Sequence, residues 1–572
     1  MNIFNAIRND FLLKIKQLFN LENNNLKNIE ISLNIDKDRT FGDLNCNASM
    51  VLAKVLQKNP RELAIQIKDN FLSLEKENFL KKYIKDIQIA GPGFLNIFLH
   101  DQAYQEIVLE LYGQSTEFFK INNQENQEKL KYLIEFVSAN PTGPMHLGHG
   151  RNGIIGDVLS RVLKFLGHDV TTEFYINDAG SQIVRLGESF KIRCQQELGE
   201  NLQIPEGGYQ GEYLIDLAKL CVEKYDKKIL NKDNFFFQNY AKEYLLEILK
   251  RDLKNYGIVF DNWFSEKSLH EDGQVAESLR LMKEKDLVYD QDGALWFKSA
   301  EFGDDKDRVL RKADGEFTYI VGDIAYHKNK FDRGYDKIID VLGQDHHGYV
   351  ARLKSTMRAL GYNADKLDII LYQLVNIKNQ DQVVRMSKRA GNFTTLHEII
   401  EAVGCDVARF FYLNRKAEAH LDFDLDVALK STEENPVYYI QYAYVRINSI
   451  FQKAQQERDL SDFVSKLINK NIKEKELESI LKNIGELEFD LIKKIISFQD
   501  ILKCIQDNYQ THMLAYYTFE LAHVFHNYYA QRRVIDLVDI RLCQARLFMM
   551  FLLKNSFEMC LDLLGLNKPE KM

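Results

Sequence analysis

Two histidines three residues apart, His146 and His149, stand with Gly148 and Gly150 where an apolar run gives way to a helical pattern. At a helix entrance they face the same way, beside backbone amides that lack an intrahelical partner and carry partial positive charge. A phosphate sits naturally in such a place. The imidazoles would donate hydrogen bonds to a phosphate whose charge grows during reaction, an electrostatic role that needs no nucleophile. Taken alone, the same spacing also arises by chance or binds a metal ion. Far downstream, Arg385, Lys388 and Arg389 crowd a polar, glycine-containing loop between Asn379 and Asn392. Such a loop can swing a lysine over a triphosphate, although a charged surface turn has the same composition. Glu135 is a third candidate: an acid inside an apolar strand is costly unless a ligand or a structural partner pairs with it.

The elements that must position these residues are legible around them. Tyr132 to Val137 reads as a strand buried on both faces, and Pro141 and Pro144 then stop it by fixing φ and removing donors. Ile154, Ile155, Val158, Leu159, Val162, Leu163 and Leu166 follow helical spacing from Asn152 on, with Gly167 where a left-handed cap belongs. A second strand, Val170 to Ile176, completes a βαβ unit. Gly315 to Asp323 and Lys337 to Gly348 each read as a short apolar run ending in polar residues. In an open parallel sheet the ligand lies outside the carboxyl ends of the strands, which places Gln344, Asp345, His346 and His347 near it. For the two histidines a hydrogen-bonded pair at a strand end is the competing reading. Another strand-like run, Ile369 to Ile377, leads into the basic loop, and Thr395 with Glu398 forms a capping box for the helix that follows. Lys191 to about Asp272 is helix-rich and reads as an insertion between strands.

A chain of 572 residues exceeds one core and predicts several domains. Its 45% hydrophobic and 28% charged content is that of a soluble globular protein, with no apolar run long enough to span a bilayer. The amphipathic start has acids within it and no cleavage site, so it reads as a first helix and the expected compartment is cytoplasmic. Seven cysteines, scattered singly, predict neither structural zinc nor a disulfide framework. A net charge of -8 argues against indiscriminate coating of nucleic acid but leaves room for local basic surfaces. From about Pro436 the chain turns helical, mixing Tyr438, Tyr439, Tyr442, Tyr444 and Arg446, then Tyr528, Tyr529, Arg532 and Arg533. Exposed aromatics beside arginines suit stacking on unpaired bases, while at helical spacing most of these tyrosines belong to the core.

The stretch NPTGPMHLGH from Asn140, followed far downstream by MSKR from Met386, resembles the HIGH and KMSKS signatures of class I aminoacyl-tRNA synthetases. Longer stretches, EFVSANPTGPMHLGHGRNGIIGD, EFYINDAGSQI, GGYQGEY and MSKRAGNF, with the ending LGLNKPEKM, are similar to the bacterial arginyl-tRNA synthetases over nearly the whole chain. Leu147 stands for the isoleucine of HIGH, and Arg385 and Arg389 replace the first lysine and last serine of KMSKS.

The resemblance implies a multidomain α/β protein with a Rossmann-like parallel-sheet catalytic domain at 121–435, holding the helical insertion at about 191–272 and the KMSKS-type loop at 383–392. An α+β N-terminal domain at 1–120 would contact the corner of the tRNA, and an all-α C-terminal domain at 436–572 would bind the anticodon. His146, His149 and Lys388 are then the catalytic residues, and His146, Gly148, His149, Met386, Ser387 and Lys388 bind ATP. By position in the family pattern Asp323 is the second carboxylate for arginine beside Glu135, Tyr319 lines the side-chain pocket, and Asn140 and Gln344 hold the α-amino end. The expected partners are ATP with Mg²⁺, L-arginine and tRNA(Arg), the expected state a monomer off the membrane, and no protein-held metal is expected. A class I synthetase for another amino acid and an inactive tRNA-binding relative are the alternatives.

Overall fold

The computed structural model describes residues 3–35, 39–120, 129–379, 382–384 and 395–572. The N-terminal region combines the helix Ile3–Phe19 and four more α-helices with a four-stranded antiparallel sheet that ends in Ile84–Ala90 and Phe94–Leu99, an α+β arrangement. It docks on the C-terminal helices through a bidentate Arg8–Asp500 pair at 2.8 Å and through Lys493 on Asp43 at 2.7 Å.

The central region is built on five parallel strands, in spatial order Leu367–Tyr372, Lys337–Gly343, Lys131–Glu135, Asp169–Ile176 and Asn262–Ser265. Apolar residues such as Leu133, Ile134, Ile338 and Ile339 are fully buried along it, as expected of strands covered on both faces. The helix between the first two of these strands in sequence runs Leu147–Leu166 and ends at Gly167, whose φ of 102° is the left-handed cap its sequence predicts. It begins five residues before the apolar periodicity does, because its first turns carry glycines instead of large side chains. Gly156 shows why: a Cβ there would lie 2.2 Å from the Phe136 ring, so only glycine lets the helix close onto the strand end.

Two expectations change. The run Gly315 to Asp323 does not form a strand: Tyr319–Asp332 is a helix, with Ile320, Val321, Ile324 and Ala325 buried at helical spacing. The span read as an insertion also contains Asn262–Ser265, which is the edge strand of the main sheet. What inserts is the chain between Ile176 and that strand, with helices Ser181–Glu197, Glu212–Tyr225 and Asn234–Asn255 around their own core of Leu186, Phe190, Leu217 and Phe237.

From Pro436 on the described structure is helical, ending in the 25-residue helix Ile540–Leu564. Arg409, buried completely, ties that end to the centre by donating to Leu564 O, Tyr256 O and the Asp157 carboxylate.

Candidate functional site

The helix entrance is capped by its own histidines. His146 is the N-cap residue, and its Nδ1 accepts the Gly148 N–H at 3.0 Å while His149 Nδ1 accepts the His146 N–H at 3.2 Å. The rings stack with centroids 3.7 Å apart. A Cβ on Gly148 would lie 2.9 Å from His146 Cε1, so glycine is what allows the ring to fold back. Gly150, in contrast, faces Leu396 and Tyr412 and serves packing, not an open phosphate site. With both Nδ1 atoms accepting, the proton of each neutral ring belongs on Nε2. Burial lowers the His146 pKa, and burial together with neighbouring His146 pushes that of His149 down to about 3. The pair therefore presents neutral N–H donors at the positive end of a helix.

Met386, Ser387 and Lys388, with Arg385 and Arg389, lie outside the described residues. Both flanks of their loop nevertheless attach to the histidine turn. The Leu396 N–H, in the helix Leu396–Val403 capped by Thr395 and Glu398, donates to Met145 O at 2.9 Å. Arg151, fully buried one turn into the signature helix, donates to Gln373 O at 2.7 Å just before the strand Val375–Asn379 that leads into the loop. The described flanks of that loop thus lie against the first signature segment.

Beside them the carboxyl ends of the strands carry acids. Glu135, Asp340 and Glu173 are in register on three adjacent strands, so their side chains share one face. The helix Tyr319–Asp332 lies over this row and answers it with Lys330, wholly buried, between Glu135 and Asp340, and it is followed by Arg333, which takes both oxygens of Glu173. Burial alone would favour neutral lysine, but Asp340 and Glu135 outweigh it and raise the Lys330 pKa. Glu135 also accepts from the Ser138 hydroxyl at 2.8 Å. It is therefore already held by structural partners, one of the two pairings that its place in a buried strand allows. The chain then turns through Val137 and Ser138 at φ of 65° and 40°, rare for non-glycine residues and strained for a β-branched one. Asn152 holds that turn by accepting the Val137 N–H at 2.7 Å while donating to Val341 O at 2.9 Å.

Tyr319 and Asp323 occupy the first turns of one helix, four residues apart, which puts both on one face. Tyr319 is 72% exposed, whereas Asp323 is half-buried and accepts from the Tyr349 hydroxyl. Burial raises the Asp323 pKa. Asn140 is exposed and donates to Gln182 Oε1 at 3.1 Å, and Gln344 follows directly on the strand Lys337–Gly343. His346 and His347 are both exposed.

Sequence reasoning passes over Glu266. It follows the edge strand, one Oε is buried without a hydrogen-bond partner, and the other would lie 3.2 Å from a Cβ on Gly322, next to Asp323. Burial, then Asp323 and Asp178, push its pKa up to about 7. A buried carboxylate oxygen without a hydrogen-bond partner, beside a second acid, is relieved by a proton or by a bound cation. The rule that ligands gather at the carboxyl ends of parallel strands points to it once Asn262–Ser265 is recognised as one of those strands.

Sequence models of three domain families match the chain. They are the class I (R) tRNA synthetase catalytic domain over residues 116–416, the DALR anticodon binding domain over 440–572, and the arginyl tRNA synthetase N terminal domain over 5–99. The chain is 40% identical over 547 residues to a protein of Oceanobacillus iheyensis named arginine--tRNA ligase, covering 95% of this chain and 94% of that one. A protein of the same name from Bacillus subtilis is 39% identical with the same coverage. The fold superposes on the arginyl-tRNA synthetase structure from Thermus thermophilus with a TM-score of 0.71 at 20% identity, over 99% of this chain and all of that one.

Proposed function

The chain belongs to the arginyl-tRNA synthetases, ligases that activate L-arginine with ATP and pass it to the terminal adenosine of tRNA, and we propose how its own residues divide that work. The arginine carboxylate attacks the α-phosphorus of ATP and pyrophosphate leaves, a reaction in which the protein supplies position and charge. His146 and His149 donate from Nε2 to the phosphate oxygens, and Lys388, with Met386 and Ser387 of its loop, neutralises the charge that develops. Gly148 gives the His146 ring its place. Mg²⁺ enters on the ATP phosphates, which with water supply its oxygen ligands. In the second step the adenylate's acyl group moves to the 2′-hydroxyl of the tRNA's terminal adenosine and AMP leaves, again by orientation.

The observation that carries the arginine assignment is the pair of acids, Asp323 and Glu266, at the head of the helix Tyr319–Asp332. A guanidinium offers a planar fork of donors and a permanent charge, which two acids can take together. Tyr319 lines the side-chain pocket, Asn140 and Gln344 hold the α-amino end, and Glu135 adds negative charge from its place on Lys330. The C-terminal helices supply the anticodon surface: Arg446 stacks on Tyr442 and Tyr529 in a cleft of about 680 Å³ that Lys453, Arg532 and Arg533 also line. Tyr444 and Tyr528, by contrast, are buried. We place the domains at 1–120, 121–435 and 436–572, with the first on the corner of tRNA(Arg). A monomer working in the cytoplasm completes the reading, since one copy holds every element named here and ATP and tRNA are found there.

The test is ATP–pyrophosphate exchange with each amino acid, with and without tRNA. Exchange with arginine that needs tRNA is expected; exchange following lysine or cysteine would make the pocket assignment wrong.

A further inference from the structure

The loop from Asn140 to Met145 joins the residue proposed to hold the α-amino end to the histidine turn, yet it has little backbone bonding of its own. Pro141 and Pro144 have no N–H to give, and its one internal bond runs from the Thr142 N–H to Asn140 O at 2.7 Å. Apart from the Leu396 N–H on Met145 O at its far end, its support comes from the helical insertion. The Tyr213 hydroxyl donates to Thr142 O at 2.6 Å, and the Asn140 amide donates to Gln182 Oε1 at 3.1 Å.

Both supporting residues belong to one packed body. Gln182 opens the helix Ser181–Glu197 and Tyr213 opens Glu212–Tyr225, and the two helices share the insertion core through Leu186, Phe190, Leu214 and Leu217. Glycines on either side let the ring reach the loop. A Cβ on Gly211 would lie 2.0 Å from the Tyr213 ring, and one on Gly143 would lie 3.3 Å from its hydroxyl. Burial pushes the Tyr213 phenol up to about 12, so it remains a donor at neutral pH.

We propose that Tyr213 is a positioning residue for amino acid activation: its hydroxyl fixes the loop between Asn140 and Met145, and so sets where Asn140 meets the substrate's α-amino group. The histidines are insulated from it, because their rings are fixed by the helix entrance itself. The proposal rests on the assignment of Asn140 given above.

The experiment is a double-mutant cycle of Tyr213→Phe and Asn140→Ala in the full chain, read as KM for arginine, KM for ATP, kcat and thermal stability. Tyr213→Phe keeps the ring and is expected to raise KM for arginine about three- to tenfold, the effect of one lost neutral hydrogen bond, with KM for ATP and the unfolding midpoint nearly unchanged. In the double variant the arginine effect should not exceed that of Asn140→Ala alone. Wild-type KM for arginine in Tyr213→Phe, or losses that add in the double variant, overturns the role of Tyr213. An Asn140→Ala variant with wild-type KM for arginine overturns instead the assignment on which it rests.

Discussion

Lys330 meets Glu135 where the helix Tyr319–Asp332 crosses the central strand, and its ammonium is wholly buried there. Its other partner, Asp340, is 2.6 Å away, on the neighbouring strand and in register with Glu135. Without the cation two buried carboxylates would face each other. Lys330→Met should lower stability by about 3 to 5 kcal/mol, the usual result of stranding one side of a buried pair. The loss should be greatest at neutral pH and shrink as acid neutralises the stranded carboxylates. Denaturant unfolding at two pH values checks it; a variant within about 0.5 kcal/mol of the parent shows that the acidic row does not need this cation.

His149, its pKa pushed down to about 3, should remain neutral and protonated on Nε2 down to about pH 5, and His146, lowered by burial, should gain its charge only at lower pH than an ordinary histidine. Nitrogen NMR of the free enzyme reads both tautomer and charge. His149→Ala and Lys388→Ala should each slow adenylate formation a hundred- to thousandfold, about 3 to 4 kcal/mol, while ATP binding changes little. Near-normal turnover in either variant removes that residue from the mechanism.

Burial, then Asp323 and Asp178, raise the Glu266 pKa from 4.5 to about 7, which keeps part of it protonated at neutral pH before arginine binds. A guanidinium favours its ionised form, so arginine binding should expel a proton below about pH 7, and KM for arginine should fall as pH rises through that value. The same raised pKa means that the group's contribution to folding is fully present below 4.5 and is lost as pH rises through about 7. Calorimetry of arginine binding in buffers of different ionisation enthalpy counts the proton. Glu266→Gln should abolish its release; an unchanged proton count in that variant places the titration elsewhere.

Asp323→Asn keeps the shape of the pocket and removes a charge. It should reduce kcat/KM for arginine by about 2 to 5 kcal/mol and that for neutral citrulline by less. Equal losses on the two substrates would mean that Asp323 does not face the guanidinium.

Short-range chemistry is legible in the order of residues alone. Gly167 ends its helix because only a left-handed residue fits there, and Thr395 with Glu398 starts another because the two cap each other. Gln344 stands beyond a strand end as its apolar run predicts. The spacing of the two histidines puts both at one helix entrance, where His146 is the N-cap. Legibility fails where the signal is brief or cut short. Asn262–Ser265 has four residues and is lost among the helices of the insertion, and the run to Asp323 ends before its helical period becomes visible.

The order of residues alone specified the caps at Gly167 and Thr395, the βαβ unit and the two signature motifs, all of which depend on residues a few positions apart. Only the tertiary structure decided which acids are free. The sequence context of Glu135 leaves open whether a ligand or a structural partner pairs with it, and the fold supplies Lys330, while Glu266 has no local mark and keeps a buried oxygen without a hydrogen-bond partner. The reason is that a carboxylate's role is set by the charges within a few ångströms of it. Here those charges come from segments as far apart in sequence as Glu135 and Lys330, and nothing local to either residue specifies the other.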